Sequence, residues 1–257
     1  MSKRNSNRKP KSWTAVLAPV VILIAILALL QILTVSLNIN EHVLPQPINM
    51  IRDTLREFPN IWPHFLFTIK IVVLGFAISV PLGMLIAALL SQSRVLTNAF
   101  SPVILCLVIT PMMTLIPIML LWLGTNPNLR LLVIVVQATP VITLNTLNGF
   151  TNVEREKMEL AACVGANKLQ TFTKITFMNA MPQVFTGVKL GCINSTIGAI
   201  GADFVSGKLG MGTRITYYNK FNATSVSYGC IILVAIIGLV LYYVISAIEK
   251  RVILWKK

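Results

Sequence analysis

The residues best placed to act lie in one polar stretch, Glu154-Arg-Glu-Lys-Met-Glu159-Leu-Ala-Ala-Cys-Val-Gly165, which continues through Lys168 and Lys174 to Ile175 and Pro182. Its chemistry is recognition rather than catalysis. The spacing predicts a short polar helix over 153–160, close packing at Ala161 and Ala162, and a turn at Gly165 that a residue with a Cβ would disfavour. Lys168 to Phe177 then resumes helically, and Pro182 opens the next apolar run. Long apolar runs flank the stretch on both sides, so it faces water between membrane spans. Two readings fit that position: a surface that docks a soluble partner, or a charged intracellular loop.

No enzyme constellation accompanies it. There is no GxxxxGK[ST] loop, so the chain is not expected to hydrolyse nucleotide by itself, and no HExxH, GxSxG or paired-cysteine zinc pattern occurs. No catalytic or metal-ligating residue is assigned. His42 and His64 are single histidines, expected as solvated or interfacial rings. Cys106, Cys163, Cys192 and Cys230 lack metal-ligand spacing and are expected to be small buried hydrophobes.

Composition dictates the elements that must hold this stretch. Of 257 residues, 55% are hydrophobic and only 12% charged, about half the charged fraction of a soluble domain. An all-α integral membrane protein follows. The net charge of +14 comes from basic residues at the tails and between spans. It does not form a stripe with interleaved aromatics, so nucleic acid is excluded as the partner and the lipid bilayer takes its place.

Residues 1–13 form a basic tail, and the apolar run 14–37 is too long for a signal-peptide core, so it is expected as a retained first span. Residues 38–63 form an external segment in which Ile48, Ile51, Leu55 and Phe58 have helical spacing, predicting a short amphipathic helix on the outer surface. Residues 64–250 hold five further spans, at about 64–90, 102–123, 131–147, 183–204 and 227–248, with the loop 150–182 between the fourth and fifth. Residues 251–257 form a second basic tail. Six spans place both termini in the cytoplasm. The basic residues of the tails, with Arg94, Arg155, Lys157, Lys168 and Lys174, then outnumber those assigned outside, as the positive-inside rule requires.

Three features inside the spans stand out. Gly75, Ser79, Gly83, Ala87 and Ser91 recur every four residues, and Gly187, Gly191, Ser195 and Ala199 repeat the pattern. Each set makes a ridge that another helix can approach closely. Pro111 and Pro117 are expected to kink the third span, which either lines a pathway or simply packs. Asp203 is the only acid near a span interior, within snorkelling reach of water at the outer end. Thr110, Met113, Asn194 and Asp203 are the candidate pathway residues. A gradient-driven secondary transporter is the rival. It would require an embedded acid or inverted half-spans, and no inverted repeat is evident.

The polar stretch resembles the coupling segment of permease subunits of ATP-binding-cassette importers. That hallmark is Glu-Ala-Ala, three residues, Gly, nine residues, Ile, then Pro. Glu159, Ala161, Gly165 and Ile175 match it, Leu160 replaces the middle alanine, Met178 stands where many members have proline, and Pro182 fits a second proline of one subgroup. Leu44-Pro-Gln-Pro47, Trp62-Pro-His64, Pro81-Leu-Gly83, Leu121-Trp-Leu-Gly124 and Gly207-Lys-Leu-Gly210-Met-Gly212 resemble the subgroup that imports nitrate, sulfonates, taurine, and thiamine or riboflavin precursors. The resemblance implies a type I importer permease fold and a homodimer in the bacterial inner membrane. It also implies a cytoplasmic ABC ATPase that carries ATP and Mg, and an extracytoplasmic solute-binding protein. By the same resemblance, Glu159, Ala161, Gly165, Ile175 and Pro182 form the ATPase-coupling contact.

Overall fold

A computed structural model describes residues 13–254, and every element it contains is helical. The basic residues expected to form the cytoplasmic tails lie mostly outside that range. In chain order the helices are α1 Trp13–Ser36, α2 Pro47–Leu90, α3 Arg94–Ile109, α4 Met112–Leu123, α5 Pro127–Thr151, α6 Arg155–Cys163, α7 Lys168–Thr171, α8 Phe177–Ser206, α9 Met211–Lys220 and α10 Thr224–Val252. A π-helical turn, Phe172–Thr176, joins α7 to α8. Helices α2, α5, α10 and the run Lys168–Val205 are each long and apolar enough to cross a membrane, and the bent pair α3–α4 is apolar enough to be either a broken fifth span or a re-entrant loop. Helix α1 occupies the place expected for the first span, with a continuous apolar stretch Val21–Ser36.

Helix α5 is the wedge of the bundle, and glycines on both neighbours let it in. A Cβ added at Gly75 or Gly83 of α2 would lie within 2.6–2.9 Å of Ile134 or Ile142. On α8, one at Gly191 would lie 2.5 Å from Ile142 Cγ1. Each distance is shorter than carbon atoms tolerate, so both ridges expected from sequence are seats for α5. Ser79, Ala87, Ser195 and Ala199 complete them and are buried. Without a hydrophobic driving force between spans, association rests on such backbone approach and dispersion contacts.

Helix α1 is peripheral. Its side chains from Val21 to Leu33 are mostly exposed, and Gln31 latches it to α2. Gln31 Nε2 donates to Gln46 Oε1 at 3.1 Å, and Gln31 Oε1 accepts from the Ile48 backbone N–H at 3.2 Å. That N–H is one of the orphan donors of a helix start.

Three local expectations change. The amphipathic helix expected over 48–58 does not stand apart, because α2 runs unbroken for 44 residues through Pro59, Pro63 and Pro81. Pro59 and Pro63 lie one turn apart on the exposed side, where carbonyls freed by the missing donors can be solvated. The kink expected in the third span is a full break, with α3 and α4 meeting at 91°. Thr110 and Pro111 both adopt extended backbone, as the residue before proline prefers. Pro117 is absorbed within α4. Finally, Pro182 does not open a span but lies inside α8. Of the cysteines, Cys192 and Cys230 are buried as expected, whereas Cys106 and Cys163 are exposed.

Candidate functional site

The polar stretch folds into a helix, a tight stop and a second helix. Helix α6 ends at Gly165, whose φ of +69° lies in the left-handed region. The Gly165 N–H donates to Ala162 O and the Ala166 N–H to Ala161 O, both at 3.0 Å. This paired closure satisfies two terminal carbonyls and places glycine where its lack of a Cβ matters. No atom lies within 4 Å of where that Cβ would be, so the requirement is backbone conformation rather than space. Asn167 then caps α7 reciprocally, accepting from Gln170 N at 2.8 Å while Gln170 Oε1 accepts from Asn167 N at 3.0 Å.

Ala161 is 1% exposed and packs inward. Glu159 points outward, accepting from Arg155 Nε at 2.8 Å with both side chains well exposed, a pair that contributes under about 0.5 kcal/mol. Around it lie Met158, Leu160, Val164 and Leu169, all exposed, with Val164 and Leu169 above 70%. Exposed apolar side chains grouped on a polar segment are the kind of surface that another protein covers. Lys157 ties the patch to the spans. Its Nζ donates to Asn179 Oδ1 on α8 at 2.7 Å and pairs with Glu154 at 3.1 Å. Between α6 and the start of α8 an open groove of about 710 Å³ is lined by Leu160, Ile175, Met178 and Pro182. Ile175 sits in the π turn, a distortion common where helices carry function. Ile175 and Pro182 therefore share one groove with Leu160; Glu159 and Gly165 lie on the adjoining helix and its stop, and Ala161 is buried beneath them.

At the far end of the spans the structure buries Asp203. Its Oδ1 accepts from Arg130 Nε at 2.7 Å, and the two side chains are 2% and 3% exposed. Arg130 also donates to Leu209 O at 2.9 Å and stacks over the Phe67 ring at 5.3 Å. Thr68 Oγ1 accepts from Met211 N at 2.9 Å. Gly210, at φ +113°, leaves the carboxylate the room a Cβ would take. Asp203 thus faces a partner on α5, not water. Nothing in the sequence pairs Arg130 with Asp203, because the two lie 73 positions apart. On the adjoining helix α9, burial pushes the Tyr218 phenol up and the Glu57 carboxylate adds to the effect. The hydroxyl therefore stays protonated and donates to Glu57 Oε2 at 3.0 Å.

The other expected pathway residues separate into two groups. Thr110 sits at the α3–α4 break with its hydroxyl donated to Cys106 O at 2.7 Å. Met113 of α4 packs against the face of α8 that carries Asn194: its Sδ lies 2.6 Å from where a Cβ at Gly201 would be, two turns from Asn194. Gln137, which sequence reasoning did not single out, approaches Asn194 from α5.

With this geometry in view, the family described as "Binding-protein-dependent transport system inner membrane component" matches residues 79–254. The chain belongs to this family. The riboflavin transport system permease protein RibX of Chloroflexus aurantiacus is 26% identical over 76% of this chain and 73% of that protein. The formylaminopyrimidine transport permease protein ThiX of Halalkalibacterium halodurans is 25% identical over 84% and 87%. The putative aliphatic sulfonates transport permease protein SsuC of Bacillus subtilis is 24% identical over 99% and 92%. A crystal structure of an amino acid ABC transporter with histidines shares the fold at a TM-score of 0.60 and 16% identity, covering 77% of this chain and 95% of that one. The inward-facing MetNI methionine transporter does so at 0.53 and 19%, covering 75% and 92%. This binding-protein-dependent permease is a multi-pass subunit of an ABC importer, and ATP hydrolysis belongs to separate ATPase subunits. The gradient-driven rival gives way to that membership.

Proposed function

We propose that two copies of this permease form the translocation path of an importer in the bacterial inner membrane, with both termini in the cytoplasm. An ATPase docks on α6 and the Gly165 turn, and a solute-binding protein delivers a small solute to the opposite face. The riboflavin, formylaminopyrimidine and sulfonate relatives support a compact organic solute. The observation that carries the coupling assignment is the exposure of Leu160 and Val164 at the end of α6 and of Leu169 on α7, in a segment too polar to enter the membrane. ATP binding by the partner would draw the two α6 helices together. Lys157–Asn179 and the π turn would pass that displacement to α8, tilting the spans between two states.

Co-purification in mild detergent with the cassette ATPase tests this reading. The intact permease is expected to retain the ATPase, and Glu159→Lys to lose it while its helical content stays unchanged. Failure of the intact protein to hold any ATPase would overturn the assignment.

A further inference from the structure

Halfway along the bundle, two amides meet among apolar side chains. Gln137 lies ten residues from the start of α5 and Asn194 twelve from the end of α8, placing both about 15–18 Å from the Pro127 end of the bundle. Gln137 Nε2 reaches Asn194 Oδ1 only at 3.5 Å, the outer limit of a hydrogen bond. Gln137 Oε1 is buried with no hydrogen-bond partner. Asn194 uses one donor on Leu190 O at 2.9 Å. One amide hydrogen on each residue and the Gln137 Oε1 acceptor are thus left without a protein partner, and the buried acceptor is the costly one. The backbone is cut away to hold them there. A Cβ at Gly198, one turn from Asn194, would stand 2.8 Å from Gln137 Oε1. Met113 occupies the matching notch at Gly201 on the same face. This is a polar point at Gly198 with an adaptable thioether one turn further along α8 at Gly201, and Asn194 is half-buried on the same face.

Charge narrows what such a point can hold. The cations of α5 and α8 are Arg130 and Lys189, and both are neutralised, Arg130 by Asp203 at 2.7 Å and Lys189 by Glu249 at 2.8 Å. An anion halfway across would meet no free positive charge on these two helices. Paired amides instead match a group that offers a donor and an acceptor side by side.

We propose that Gln137 and Asn194 form a solute-contact site midway through the permease, specific for an uncharged solute presenting an amide or imide edge. The site rests on the permease reading above. Met113 packs against the apolar remainder of the solute, and the amides select for the edge as it passes.

The test uses the transporter assembled with its ATPase and binding protein in proteoliposomes, with the exposed Cys106 and Cys163 replaced by serine. Asn194→Cys is expected to react with a charged, water-soluble methanethiosulfonate at least tenfold faster than Ile193→Cys, whose side chain lines an apolar groove between α8 and α10. Uracil, which carries an imide edge, is expected to slow the reaction at Asn194→Cys at least threefold, and ethanesulfonate to leave it unchanged. Gln137→Cys gives the same reading from α5 if Asn194→Cys does not assemble. Equal rates at positions 193 and 194 would overturn the site. Protection by ethanesulfonate, or by neither probe, would overturn its specificity. Failure of the permease reading would show separately, as an intact protein that retains no ATPase.

Discussion

Arg130 and Asp203 meet side chain to side chain at 2.7 Å, each at most 3% exposed, and they fasten the start of α5 to the end of α8 and to the loop before α9. Removing one member leaves the other charged and buried, which typically costs about 3–5 kcal/mol. Asp203→Asn and Arg130→Met are each expected to lower the thermal unfolding midpoint sharply in detergent. The double replacement Arg130→Met with Asp203→Asn is expected to be milder than the sum of the singles. A strictly additive double mutant would show that the pair is not a unit.

Ile142 is gripped from both sides, by Gly83 and by Gly191. Overpacking of a close helix contact costs about 1–3 kcal/mol. Gly191→Val should therefore destabilise the bundle, and Ile142→Ala in the same chain should recover part of the loss. Thermal unfolding of the single and double variants checks this, and no recovery would mean that the ridge is not the seat of α5.

At Gly165 the strain is in the backbone. Any residue with a Cβ is forced into the left-handed region at a cost of about 1–2 kcal/mol, while asparagine tolerates it better. Gly165→Ala is expected to reduce ATPase stimulation by the loaded binding protein more than Gly165→Asn does, although neither disturbs the spans. ATP turnover in the assembled transporter distinguishes the two.

Leu160 and Val164 are 64% and 72% exposed, so aspartate at either position costs the isolated permease little. Against an ATPase groove it would bury an unpaired charge. Leu160→Asp and Val164→Asp should each weaken ATPase retention at least tenfold in a titrated pull-down, with helical content by circular dichroism unchanged.

The long apolar runs, the two small-residue ridges and the polar stretch around Glu159 were all legible in sequence. Each depends on local composition or on a fixed helical period, which residue order alone carries. The Gly165 stop was legible for the same reason, since a left-handed turn is a property of the residue that adopts it. What the ridges seat was not legible. Nothing in the spacing of Gly83 and Gly191 names Ile142, because that choice depends on which helix lies between them. Asp203 was readable as an acid near a span end, but its partner lies 73 positions away, and Gln137 gave no signal beyond being one polar residue in an apolar run. The break at Thr110-Pro111 and the unbroken course through Pro59 and Pro63 also could not be separated by sequence. Proline removes one donor everywhere, and only the surroundings of the freed carbonyl decide whether the helix continues. Local order thus determined which segments are helical and which face meets water. Packing between distant segments decided where charge is neutralised and where polar capacity is left free.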